Sequence, residues 1–183
     1  GAGSPCRVDR RRQGRLGCRT FRSTTRSHRS SPWAWAHTRF RPMKIRDRKF
    51  AKLTTDELHD ILKLRIDVFV AEQACAYPEL DGRDTEPTTR HVWMADDVGV
   101  VAYVRVLHDD DARRICRVAT REDARSGGLA GALIEHVLDS TDGPWVLDAQ
   151  SYLAGWYRKR GFEDDGEEFV EYGIAHLPMR RES

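Results

Sequence analysis

The stretch that most constrains this chain runs from Ile115 to Leu138, ICRVATREDARSGGLAGALIEHVL. Ile115 to Thr120 is rich in β-branched and apolar residues and reads as a strand. A polar loop follows, then the small-residue turn Arg125-Ser126-Gly127-Gly128-Leu129-Ala130-Gly131, then an apolar stripe at helical spacing. Residues without large side chains let a ligand approach the backbone closely. The first N–H groups of the helix have no intrahelical acceptor. With the helix dipole, they form a site suited to a phosphate or diphosphate.

The motif excludes two common nucleotide sites. A Walker loop needs Gly-Lys-Ser/Thr at its end, which is absent here. A dinucleotide fold needs G-x-G-x-x-G early in a βαβ unit, with an acidic residue about 20 positions on. The fixed points here are Arg125, Gly128 and Ala130, spaced Arg-x-x-Gly-x-Ala. Taken alone, that spacing also suits a glycine-rich helix start that only turns the chain.

Charge divides the 183 residues unevenly. Residues 1–42 carry 11 Arg against one acid, Asp9, a net of +10, so the total of +2 leaves −8 on the remainder. The first segment shows neither strand nor helix period and buries too little to offset ordering entropy, so it is expected to be a disordered basic tail. Its arginines with Trp33, Trp35 and Phe40 offer charge and stacking to a nucleic acid. An acid-poor targeting segment is another reading. The reading preferred here makes Met43 the natural start and residues 1–42 an over-long start, leaving one domain over residues 43–183 and no nucleic-acid role. Cys6, Cys18, Cys75 and Cys116 have no metal-site spacing, so free thiols, a cytoplasmic location and no metal are expected. No apolar run approaches the ~18 residues of a membrane span.

The rest follows in order. Lys44 to Phe50 reads as a strand. Thr54 and Glu57 form a capping box, and Leu58, Ile61, Leu62, Arg65, Ile66, Phe69 and Val70 continue as a helix from about Thr55 to Val70, with Arg65 near its apolar face. Residues 71–89, punctuated by Pro78, Asp81-Gly82 and Pro87, form a long loop suited to a substrate wall. Arg90 to Ala95, Val98 to Leu107 and Arg113 to Thr120 make an antiparallel meander. After the Gly128 helix come a buried-type strand from Trp145 to Ala149, a short helix from Tyr152 to Arg160, and two last strands, Phe162 to Phe169 and His176 to Arg180. Strand–helix–strand from Ile115 to Ala149 requires a parallel pair with a right-handed crossover. The fold class is therefore α/β in the α+β sense: a mixed, mostly antiparallel sheet with helices on both faces.

Four blocks in this order resemble the GNAT acetyltransferase superfamily. R-x-x-G-x-A at Arg125–Ala130 is similar to its acetyl-CoA signature. The segment Gln150 to Phe162, with Tyr157 and Gly161-Phe162, resembles its A…FY-x-x-x-G-F ending. Leu64 to Gln73 with Tyr77-Pro78 and Asp81-Gly82 resembles the narrower ElaA-like branch, as do Arg90-His91 and Gly173 to His176. The resemblance covers about Met43 to Met179. It implies a GNAT fold whose fourth and fifth strands splay, and acetyl-CoA as the donor. The pantetheine arm would pair with main-chain groups near Val118 and Thr120. The diphosphate would lie on the N–H groups from Ser126 through Gly127, Gly128, Leu129 and Ala130 to Gly131, with Arg125 adding charge. The implied chemistry is direct attack of an amine on the thioester, with no enzyme nucleophile, so Cys116 is expected in the core. Tyr157 matches the family's thiolate-protonating tyrosine; a ring packed beneath the CoA arm is the other reading. Glu72, His91 and His176 are candidates for the amine-side base, with Gln73 and Gln150 as orienting amides and Arg65 and His91 as acceptor contacts. The alternative class is a non-catalytic CoA-binding or nucleic-acid-associated module using the tail. The partner implied is an amine of unknown identity; family members are often dimers, but no seam is visible in this sequence. Asp148 departs from the pattern, which usually has a small or apolar residue there.

Overall fold

Strand β3 (Val100–His108) is buried from Val100 to Leu107, with only His108 exposed, so both of its faces are covered. A strand sealed on two sides reads as a continuous apolar run, as VVAYVRVL does here. The computed structural model describes residues 43–74, 77–109 and 111–182. The readings placed on residues 1–42, and Cys75, lie outside the described residues.

Around β3 the sheet takes the order β1-β2-β3-β4-β5-β8-β6, with β7 paired to β8. β1 (Arg46–Lys49), β2 (Arg90–Ala95), β3 and β4 (Arg113–Thr120) are antiparallel neighbours. β4 and β5 (Trp145–Gln150) run parallel, and β5 pairs antiparallel with β8 (Ile174–Arg181). The last region holds three strands rather than the two expected. A two-residue β6 (Glu163–Asp164) and β7 (Phe169–Glu171) share one edge of β8. Gly166, at φ 153°, lies between them and breaks the expected single strand.

Two helices cover opposite faces. On β2, Val92 and Met94 join Leu133, Ile134 and Val137 of α2 (Leu129–Asp139), while the intervening Trp93 joins Ile61, Leu64 and Val68. Successive strand side chains point to opposite faces, so these are two separate cores on one sheet. α1 (Thr55–Arg65) starts at the capping box: Glu57 N donates to Thr54 Oγ1 over 3.2 Å and Thr54 N donates to the Glu57 carboxylate over 3.1 Å. It then widens into π-type turns over Ile66–Glu72, two residues beyond the expected end. Such widened turns recur at functional sites. A short α3 (Ala154–Arg158) follows β5. Among the described residues, no helix is long and apolar enough to cross a membrane.

Candidate functional site

The parallel pair lasts two residues. β4 and β5 are in register only at Arg113↔Trp145 and Arg114↔Val146, although both strands continue. Beyond that point a wedge opens. A second irregularity faces it: Tyr103 pairs with Ala119 and Arg105 with Cys116, so Arg117 and Val118 oppose the single residue between them on β3. Arg117 takes φ 53° to make this bulge. A bulge interrupts the ladder and leaves main-chain groups without a strand partner. Where the ladder has ended, a side-chain bridge continues it: Arg114 Nη1 donates to Asp148 Oδ2 over 2.8 Å. The unexpected acid in β5 therefore has a structural partner.

The wedge is part of a cavity of about 760 Å³, within the range of small-molecule sites. At one end is the start of α2. Ser126 has φ 63° and Gly128 has φ 77°; glycine reaches the left-handed region without a Cβ penalty. The first intrahelical bond is Ala132 N to Gly128 O, so the N–H groups of Leu129, Ala130 and Gly131 precede it and have no acceptor within the helix. Arg160 packs over this turn. Its guanidinium stacks on Trp156 at 3.6 Å, and a Cβ on Gly131 would stand 2.5 Å from Arg160 Nη2. Gly131 is thus required by an arginine rather than by the backbone. Arg160 Nε is buried with no hydrogen-bond partner among the described residues.

Splayed parallel strands, a bulge and open amides on one cavity are the arrangement that the resemblance to acetyl-CoA enzymes implies. Residues 57–183 match the family model described as "Acetyltransferase (GNAT) domain". The chain belongs to the GNAT acetyltransferase family. Within it, this GNAT chain lies on the ElaA-like branch. It is 45% identical over 130 residues to a UPF0039 protein of Mycobacterium tuberculosis, covering 68% of this chain and 83% of that one. It is 35% identical over 146 residues to Protein ElaA of Escherichia coli, covering 74% and 94%. The crystal structure of E. coli ElaA superposes with TM-score 0.72 over 76% of this chain and 99% of that one, at 32% identity. An acyl-CoA N-acyltransferase from Pseudomonas aeruginosa superposes with TM-score 0.73 at 35% identity, with the same coverage. The expected GNAT fold and CoA-dependent acyl transfer follow for this chain.

Val118, Thr120, Arg125, Ser126, Gly128, Leu129, Ala130 and Gly131 line the GNAT cavity. Gly127 does not; a Cβ added there would stand 3.4 Å from the Ala124 carbonyl oxygen. Arg125 also holds a carboxylate at the cavity edge. Its Nη1 and Nη2 donate to the Glu72 carboxylate over 2.7 and 2.5 Å, and its Nε donates to Thr120 O over 3.1 Å. The Arg125 hydrogen bonds hold the Glu72 carboxyl below its ordinary range, which makes it a weaker base.

Two expected acceptor contacts, Arg65 and His91, lie buried and off the cavity wall. Arg65 is fully buried and pairs with Glu79 and with Asp84 at 2.6 Å. It fastens the long loop to α1 and is absent from the cavity wall. His91 is also fully buried. Its Nε2 is 3.0 Å from Asp84 O, a carbonyl that can only accept, so Nε2 carries the proton and Nδ1 accepts from the Tyr103 hydroxyl at 2.8 Å. Burial pushes its pKa down, and neither nitrogen is left for chemistry.

Gln73 and Gln150 both line the cavity, and their amides meet at 3.3 Å. Tyr157 lines it from α3, and burial pushes its phenol well above the ordinary value, so it keeps its proton at neutral pH. His176 lines it from β8. Its Nδ1 is 2.9 Å from Ile174 O, so Nδ1 is the donor and Nε2 holds the lone pair in the neutral ring. Cys116 is not simply a core residue. It reaches the cavity, and its Sγ accepts from Arg105 Nε at 3.3 Å, while burial pushes the thiol up. The sequence reading missed Arg160, Arg117, Tyr77 and the β7–β8 turn, which also line the wall. The Glu171-Tyr172-Gly173-Ile174 turn carried the one usable signal, a glycine between two β segments.

Proposed function

We propose that this chain transfers the acetyl group of acetyl-CoA directly to an amine, with no covalent enzyme intermediate. The observation that carries this reading is the coincidence, on one cavity, of a ladder that ends after two rungs, an open helix start, a protonated phenol and an imidazole with a free lone pair. The matched domain's description as an acetyltransferase supports the choice of acyl group.

The residues fit the donor. The amides of Leu129 to Gly131 and the guanidinium of Arg160 would hold its diphosphate, and the bulge at Arg117-Val118 would supply main-chain groups to its arm. His176 Nε2 removes the proton of an incoming ammonium, so the amine can attack the thioester carbonyl. The new C–N bond forms as the C–S bond breaks. Tyr157 passes its proton to the departing sulfur and is reprotonated, through solvent, by the second proton the nitrogen gives up as it becomes an amide; the proton taken up by His176 is the one released to solvent. His176 is preferred to Glu72 because Glu72 is bound by Arg125, and to His91 because His91 is sealed in the core.

The test is release of CoA thiol from acetyl-CoA in the presence of a panel of amines, with mass detection of the N-acetyl product. Thiol release that depends on the amine and yields an amide supports the proposal. Binding of CoA without turnover on any amine would reduce the chain to a CoA-binding module.

A further inference from the structure

The cavity wall carries three carboxylates, Glu72, Asp148 and Glu171. Arg125 holds Glu72 and Arg114 holds Asp148. The Glu171 carboxylate has no hydrogen bond or ion pair among the described residues, its main chain being paired with β8. The charges around the neighbouring loop are already matched: Arg65, Arg105 and Arg117 pair among themselves with Glu79, Asp81 and Asp84. Glu171, at the end of β7, is thus the one carboxylate of the cavity wall without a cation partner among the described residues.

Its placement is set by the hairpin. Tyr172 and Gly173 have φ 48° and 82°, the pattern of a tight two-residue turn. Glu171 pairs with Ile174 and Phe169 pairs with His176. Directly opposed residues share a face, as do residues two apart, so Glu171, Ile174, Phe169 and His176 lie on one face. Phe169 and His176 confirm this by stacking at 5.7 Å. Glu171 stands one turn-ward step from the His176 rung, two residues along the strand. At roughly 3.3 Å per residue, that offset is comparable with an extended chain of about four or five methylenes. Beside it, the Tyr172 and Tyr77 rings lie 5.6 Å apart, and the Arg117 guanidinium covers the Tyr77 ring at 5.1 Å.

We infer that Glu171 selects the acceptor, and that the acceptor is an aliphatic diamine: one nitrogen faces His176 while the second, still protonated, rests on the Glu171 carboxylate. This rests on the acetyl-transfer reading for the role of His176, but the recognition can be measured without turnover.

The experiment compares binding of 1,5-diaminopentane and of pentylamine to the full chain saturated with CoA, in the wild type and in Glu171→Gln. At low salt the diamine should bind about three- to fivefold more tightly, as for a partly exposed ion pair. That ratio should fall toward one in Glu171→Gln and in the wild type at high salt. Equal affinities in the wild type, a ratio that survives in Glu171→Gln, or no amine binding would each overturn the inference. The expected ratio without thiol release from acetyl-CoA would instead reject acetyl transfer and leave the recognition standing. Thiol release with equal use of both amines would sink the inference alone.

Discussion

Arg65 and Arg125 each hold a carboxylate through two nitrogens or more, yet they do opposite things. Arg65 is sealed: its side chain is 0% exposed, and its partners Glu79 and Asp84 are 4% and 10% exposed. Arg125 and Glu72 are 39% and 43% exposed and sit at the cavity edge. A buried charge cannot exchange its partner without a large desolvation cost, so the Arg65 network fixes the long loop permanently. An exposed pair is nearly neutral in free energy and screened by salt, so it can give up a partner to an incoming anion. The same chemistry fastens the wall in one place and leaves the entrance exchangeable in the other.

The largest expected effect tests the sealed side. Arg65→Met leaves Glu79 and Asp84 without their shared cation and should lower stability by about 3–5 kcal/mol in urea unfolding. A loss under about 1 kcal/mol would mean the network does not hold the loop. The pH dependence gives a second reading. Burial pushes the Asp84 carboxyl up, but Arg65 and Arg105 more than reverse this and hold it below its ordinary range. A depressed carboxylate contributes stability that is complete above its unfolded pKa, about 3.9, and lost as pH falls through the folded value. The wild type should therefore lose stability below about pH 4, and Arg65→Met should start lower and fall less steeply.

On the open side, Tyr157→Phe should slow amine-dependent thiol release by about 100-fold, with CoA affinity within about twofold of wild type. Equal losses of rate and affinity would assign the ring to packing instead. Gly131→Ala should act through Arg160. The added methyl displaces a flexible guanidinium rather than the backbone, and alanine is the better helix former. CoA affinity should fall about fivefold while thermal stability stays level or rises. Unchanged affinity would remove Arg160 from the diphosphate site.

The contrast also explains what the sequence made legible. The capping box at Thr54, the meander and the small-residue turn at Gly128 are local patterns, and each is found where its spacing places it. The sealed network is nonlocal. Arg65 meets residues 14 and 19 positions away, and Arg105 meets Asp81 across 24, so no helical or strand period records them. The sequence places Arg65 near the apolar face of a helix, where it is found, but the same position fits a substrate contact until the loop's carboxylates are located. The bulge at Arg117 was hidden for a related reason: one extra residue does not alter an apolar pattern enough to show. His91 and His176 are equivalent in sequence, and only burial separates a sealed ring from an accessible one.

Glu72→Gln gives the smallest stability effect and divides the two roles open to that residue. As an exposed pair, Arg125–Glu72 should contribute no more than about 1 kcal/mol, so the variant should unfold close to the wild-type midpoint. The freed guanidinium no longer has to leave a carboxylate to meet the diphosphate, so CoA should bind a few-fold more tightly at low salt, and the gain should shrink as salt is added. If Glu72 were instead the amine-side base, the glutamine would cost about 100-fold in turnover with no gain in affinity. The two outcomes differ in sign on binding and in scale on rate, so one titration and one progress curve separate an exchangeable latch from a catalyst.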